Sequence, residues 1–137
     1  MAERILAVGT LKKGFPLHRQ GLLGARYLGD YRTSASYPML IAGPWYAPMV
    51  LNEPGVGQQI RGELYEVEDS ALLKLDRLES VGKPGNFREP VEVEPVAGGP
   101  RISAFIYMKS RELARPAHSA YLDVYDDRRF IPFDRRT

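Results

Sequence analysis

Several short strand-like runs separated by Gly, Pro or Asn, a single clear helical pattern, and no regular alternation of strand with helix predict an α+β domain. Many short strands with one main helix favour a strongly curved sheet that closes into a small barrel. The chain of 137 residues is expected to form a single domain over residues 1–137, long enough to bury a core of its own.

The elements follow in order. Residues 4–10 ("RILAVGT") read as a buried first strand, because an apolar run this short is too brief for a helix. The runs at 25–33, 37–43 and 47–52 are short and strand-like, bounded by Gly, Pro or Asn. In "QIRGELYEV" (59–67), Ile60, Gly62 and Leu64 alternate with Arg61, Glu63 and Glu66, the pattern of a half-buried strand. "PVEVEPV" (90–96) alternates valines with glutamates, and "RISAFIYMK" (101–109) is the last strand. The helix is "EDSALLKLDRLESVG" (68–82), with acidic residues and Ser70 at its start and Gly82 at its end, a proline soon after.

Composition removes several kinds of chemistry. With no cysteine, disulfides, thiolate catalysis and cysteine-based zinc sites are excluded. The two histidines, His18 and His118, are far apart in sequence, and no Gly-x-Ser-x-Gly accompanies them, which argues against a His-rich metal centre and a Ser-His-Asp triad. Carboxylate-bound magnesium stays open on composition alone. A net charge of +2 is close to balanced. The basic C-terminal cluster of Arg128, Arg129, Arg135 and Arg136 alternates with aspartates, so it reads as a solvated tail rather than a nucleic-acid surface. No apolar run approaches the roughly 20 residues that span a bilayer, and a cytoplasmic protein is the expectation.

On the helical wheel Ala71, Leu72, Leu75 and Leu78 form one apolar stripe, and Glu79 falls inside it. A carboxylate on the core-facing side is costly to ionise, and the negative end of the helix dipole disfavours it further. Both effects raise its pKa toward the range useful for acid–base work. The other arrangement is a frayed helix end that turns Glu79 into solvent. Asp69 and Asp76 read as surface or capping groups. A second feature is "VGTLKKGFP" (8–16), where Gly9 and Gly14 satisfy half of a phosphate-binding loop, but Phe15 and Pro16 stand where Lys and Ser or Thr must be. The segment is either a backbone anion site or a plain glycine turn with its lysines in water.

Taken together, "VGTLKKGFPLH", "SYPMLIAGPWYAPMVLNEPGVG", "GELYEV" and "LDRLES" resemble the γ-glutamylcyclotransferase superfamily, most closely its γ-glutamylamine branch, over about residues 5–110. The resemblance implies a small mixed β-barrel with flanking helices and no cofactor or metal. It further implies a small-molecule γ-glutamyl substrate, without nucleic-acid or membrane partners, and leaves the oligomeric state open. The implied reaction is attack of the substrate's own α-amine on its γ-carbonyl, releasing an amine and 5-oxoproline. Glu79 matches the family's catalytic glutamate at the end of an "LDxxE" helix. Gly9, Thr10 and Leu11 match its Tyr-Gly-Thr-Leu loop, which lines the substrate pocket, with Val8 standing in the tyrosine position. After the helix, Asn86 stands where the family often has a tyrosine, and Arg88 is kept. Tyr107 matches a late-strand aromatic, either a pocket residue or a core tyrosine with one polar handle. The rival function is a non-catalytic protein that binds γ-glutamyl metabolites on the same scaffold; a third is a γ-glutamyl-cleaving enzyme acting on a biosynthetic intermediate.

Overall fold

The computed structural model describes residues 2–136. Five strands close the barrel: β1 (Ala2–Ala7), β2 (Arg26–Thr33), β5 (Arg61–Glu68), β6 (Asn86–Pro95) and β7 (Ile102–Lys109), in the order β1-β5-β2-β6-β7. Neighbours are antiparallel except at the closure, where β7 meets β1 in parallel with Ile5 opposite Phe105. Strands β3 (Met39–Ala42) and β4 (Ala47–Val50) form a separate hairpin. Helices α1 (His18–Leu22) and α2 (Asp69–Leu78) flank the barrel, and two 3₁₀ turns follow β7. The predicted α+β barrel is the observed architecture.

Two apolar layers explain the strand patterns. Leu6, Leu64, Val93, Ile106 and Met108 point into the barrel with Met39, Ile41 and Val50 of the hairpin. Their neighbours Ile5, Ala7, Tyr65 and Val67 point outward, where Leu72 and Leu75 of α2 and Leu22 of α1 cover them. Strand β1 is therefore buried on both faces, which is why it reads as a continuous apolar run rather than an alternation. Leu75 is completely buried at this outer interface, a burial that stabilises the packing of α2 by roughly 1.5–3 kcal/mol.

Two boundaries and one additional element differ from expectation. β1 ends at Ala7, and residues 8–10 already belong to the following loop. β6 starts at Asn86, before the valine–glutamate alternation begins. The short helix α1 follows no sequence signal. A Cβ at its Gly21 would stand 2.8 Å from side-chain carbons of both Leu11 and Leu75. The glycine thus lets α1 lie directly against α2, and that contact supports a helix too short to persist alone.

Candidate active site

The chain leaves β1 through a loop that folds back on itself. Lys12 N–H donates to Gly9 O at 3.0 Å, Leu17 N–H to Thr10 O at 3.0 Å, and the His18 ring to Leu11 O at 2.9 Å. Lys13 N–H donates to Glu63 Oε1 at 2.8 Å, and the buried Lys12 ammonium donates to Tyr125 O at 2.7 Å. These bonds engage the carbonyls of residues 9–11, while their amides have no hydrogen-bond partner among the described residues. Unpartnered amides in succession along a tight turn form a site for a small anion. The two lysines differ: Lys12 is buried, whereas Lys13 is tied down through its backbone and its side chain is exposed, as expected for a glycine turn with lysines in water.

Glu79 is the C-terminal cap of α2. Its N–H donates to Leu75 O at 2.9 Å, Ser80 N–H donates to Arg77 O at 3.1 Å, and Val81 N–H to Asp76 O at 2.9 Å. Ser80 supplies the left-handed turn at φ +60°. This is the Schellman closure, built on serine two residues before the glycine that the sequence suggests as the stop. It pins Glu79 in place, so the helix end is capped rather than frayed at this residue. Desolvation pushes the Glu79 carboxyl above the ordinary carboxylate range, and the nearby Lys109 ammonium opposes that shift.

One small cavity of about 40 Å³ brings the predicted residues together: Val8, Gly9, Thr10, Leu11, Glu79 and Tyr107, with Pro48 and Val50 of β4 opposite. Val8 also packs into the barrel core. Gly9 is required by close approach, since a Cβ there would stand 2.7 Å from Pro48 Cγ. The Tyr107 hydroxyl donates to Asp76 Oδ1 at 2.8 Å. Burial and that bond push the phenol far above its usual range, so Tyr107 is neutral and its proton is directed away from the cavity.

Asp76 is thus a buried-side acceptor, not the surface or capping group its place on the wheel suggests. Arg88 Nε lies 3.6 Å from the same oxygen, and its guanidinium covers the Phe105 ring at 4.6 Å. Lys109 is a further site residue that sequence reasoning missed. It donates to the Asn86 side chain and, two residues beyond Tyr107, shares that residue's face of β7. Strand periodicity places it beside Glu79.

The cavity opens into a cleft of about 1130 Å³, the two sharing Thr10, Pro48 and Glu79. Much of the cleft wall comes from the C-terminal segment, including Arg128, Phe130, Arg135 and Arg136. The tail is therefore not simply solvated. Arg129 does pair with Asp127 at 2.8 Å, but Arg128 covers the Phe15 ring at 4.1 Å and Arg136 the Trp45 ring at 4.8 Å. Neither histidine faces the cavity: the His118 ring donates to Gly43 O at 2.9 Å and stacks on Tyr46. Among the described residues no three His, Asp or Glu side chains converge as a metal site. No helix there is long and apolar enough to cross a membrane.

The barrel flank thus sets one carboxyl of raised pKa in the same small cavity as a turn whose amides have no partner among the described residues. The chain belongs to the family described as "Gamma-glutamyl cyclotransferase, AIG2-like", whose model matches residues 5–127. A gamma-glutamylaminecyclotransferase of Bos taurus is 36% identical over 129 residues, covering 89% of this chain and 74% of the relative. A gamma-glutamylcyclotransferase-like relative from Arabidopsis thaliana is 38% identical over 94 residues, 65% of this chain but only 50% of the relative's length. The crystal structure of an AIG2-like protein from Mus musculus superposes with a TM-score of 0.86 at 29% identity, covering 98% of this chain and 99% of that one.

Proposed function

We propose that the protein is a γ-glutamylamine cyclotransferase in which Glu79 is the proton-transferring group. The observation that carries the reading is the shared cavity of Glu79 and the amides of residues 9–11. Those amides receive the substrate's α-carboxylate, Val8 and Tyr107 wall the glutamyl chain, and the α-amine is left facing Glu79.

The chemistry follows from that pose. A free α-amino group has a pKa of roughly 8, so at neutral pH it must first lose a proton to become a nucleophile. Its nitrogen then forms a bond to the γ-carbonyl carbon, and the bond from that carbon to the leaving nitrogen breaks. The attacking nitrogen sheds a further proton as it becomes the lactam N–H, while the leaving nitrogen gains one as it departs. A carboxylate whose pKa is raised toward neutrality can take the proton at one nitrogen and return it at the other, worth about 10²–10⁴-fold in rate. Nucleophile and electrophile belong to one molecule, so the pocket contributes mainly by folding it into the ring-closing conformation. The family membership and the naming of the bovine relative support the same reaction.

The test is a mass-spectrometric assay for 5-oxoproline with γ-glutamyl-ε-lysine, γ-glutamyl amino acids and glutathione, comparing the protein with Glu79→Gln. Release by the protein and loss of release in the variant is the expected result. Binding without release from any of these compounds would instead mark a metabolite-binding protein.

A further inference from the structure

In the reaction above Glu79 moves protons at two nitrogens, and the amides of residues 9–11 hold the α-carboxylate. Neither meets the charge that develops on the γ-carbonyl oxygen. As the α-amine bonds to the γ-carbon, the carbonyl π pair moves onto that oxygen; it returns when the bond to the leaving nitrogen breaks. A preorganised donor at such an oxygen is usually the largest single contribution to acyl transfer. The Tyr107 hydroxyl does not supply it, because its proton is committed to Asp76 Oδ1. The Thr10 hydroxyl belongs to the turn that takes the α-carboxylate.

The half-buried Lys109 ends β7. Its backbone is held from both sides, by Asn86 in antiparallel register on β6 and by Leu51 in a parallel bridge just past β4. Its ammonium donates to Asn86 Oδ1. The Asn86 amide nitrogen donates in turn to Pro84 O at 3.2 Å and Lys83 O at 3.4 Å, so the amide keeps its oxygen toward Lys109. An ammonium has three hydrogens to donate, and Asn86 engages one. Among the described residues Lys109 makes no ion pair within 4.0 Å. Glu79 faces it from the end of α2 and Arg136 from the C-terminal segment, and Lys83 and Asp134 also line the cleft. Desolvation holds the Lys109 ammonium below its ordinary range, and Glu79 opposes that shift. An unpaired, partly desolvated cation is costly in the resting protein, a cost offset only when negative charge arrives beside it. Lys109 and Glu79 line the same cleft, which joins the cavity at Glu79. The gap between them is wider than an ion pair.

Resting on the cyclotransferase reading above, we infer that Lys109 is a second catalytic residue, whose ammonium, oriented by Asn86, stabilises the negative charge on the γ-carbonyl oxygen of the tetrahedral intermediate. With the glutamyl half in the cavity, the scissile amide enters the gap between Glu79 and Lys109. Glu79 takes a proton from the attacking nitrogen while the ammonium donates a hydrogen bond to the oxygen and keeps its own protons. When the carbonyl re-forms, the bond to the leaving nitrogen breaks and Glu79 returns the proton there. The carboxyl serves the two nitrogens, and the ammonium serves the oxygen between them.

The experiment measures kcat and KM for 5-oxoproline release across pH in the protein, Lys109→Met and Lys109→Arg. The substrates are γ-glutamyl-ε-lysine and γ-glutamylbutylamide, whose leaving amine carries no carboxylate for Lys109 to hold. In Lys109→Met kcat is expected to fall about 10²–10³-fold on whichever of the two the protein turns over, with KM nearly unchanged. Lys109→Arg, which keeps the charge, restores much of that rate. The acid limb of kcat/KM moves to higher pH in the methionine variant, because the charge that opposes the rise at Glu79 is gone. Unchanged kcat, a loss carried by KM, a loss confined to the lysine substrate, or an arginine variant as slow as the methionine one overturns the inference while leaving cyclotransferase activity standing. Should Lys109→Met not fold, Asn86→Ala leaves the cation in place without its orienting oxygen. A fall in kcat of about tenfold is then expected, and unchanged kcat overturns the inference. No 5-oxoproline from either substrate with the unaltered protein overturns the underlying reading and this inference with it.

Discussion

The phenol of Tyr107 donates to Asp76 Oδ1 at 2.8 Å, one helical turn before Glu79 on the same helix. A strand on the barrel wall is thereby fastened to the helix that carries the proposed proton-transfer group. Tyr107→Phe removes the donor and leaves a half-buried carboxylate with only the more distant Arg88. The variant is expected to lose about 1–2 kcal/mol of stability by chemical denaturation. A roughly tenfold fall in kcat with a smaller change in KM is expected from the loosened pose. Unchanged kcat with lowered stability would confine the bond to a structural role.

Glu79→Gln is expected to cut turnover by about 10²-fold or more and at the same time to stabilise the protein in a pH-dependent way. The folded-state pKa of Glu79 is raised above its ordinary value by desolvation, so between the unfolded and folded values the native state binds the extra proton. Its stability is then greatest below the unfolded pKa and falls as pH rises through the folded one. Glutamine has no such loss. The variant should melt higher than the parent at pH 8 and match it near pH 4. Equal melting at both would show that the carboxyl bears no burial cost.

The same shift sets the acid limb of the reaction. Because the ionised form accepts the first proton, kcat/KM should fall on acidification with a midpoint above the ordinary carboxylate value of 4.5. A midpoint at or below that value would contradict the assignment.

Gly9→Val places a Cβ 2.7 Å from Pro48 Cγ across the cavity. Overpacking of this kind costs about 1–3 kcal/mol. Here it narrows the pocket, so KM should rise by about tenfold or more while α2 is untouched. Unchanged steady-state constants would make the loop a turn and nothing else.

Ser80 occupies the left-handed region at φ +60°, which a non-glycine residue adopts at some cost. Ser80→Gly should raise stability by about 0.5–1 kcal/mol and keep turnover, whereas Ser80→Val should lower stability by more than that. Thermal melts of the two variants decide it; a destabilised glycine variant would mean that the serine hydroxyl matters more than the backbone.

Features written in local pattern were legible in the sequence. The strands and α2 follow from alternation and the 3.6-residue stripe, and Glu79 stands out because it occupies a leucine's place in that stripe. What was not legible depends on partners distant along the chain. Asp76 gains its role from Tyr107, which lies 31 residues on. Helix α1 owes its existence to a glycine that fits against Leu75, and glycine argues against a helix when read alone. The tail shows both outcomes. Arg129 is neutralised by Asp127 as its local sequence suggests, yet Arg128 and Arg136 find aromatic faces at Phe15 and Trp45. Stacking over such separations leaves no periodic trace.

The parallel seam between β1 and β7 joins strands at residues 2–7 and 102–109. A chain emerging from the ribosome presents the 9–11 loop first, α2 at mid-length, and Tyr107 and Lys109 only after most of the sheet has been made. Until β7 arrives, β1 has one open edge and the wall of the cavity behind Glu79 is missing. Long-range closure of this kind is a slow step in folding. Closing the barrel and completing the pocket are therefore one event, and a growing chain acquires its chemistry only once the last strand is in place.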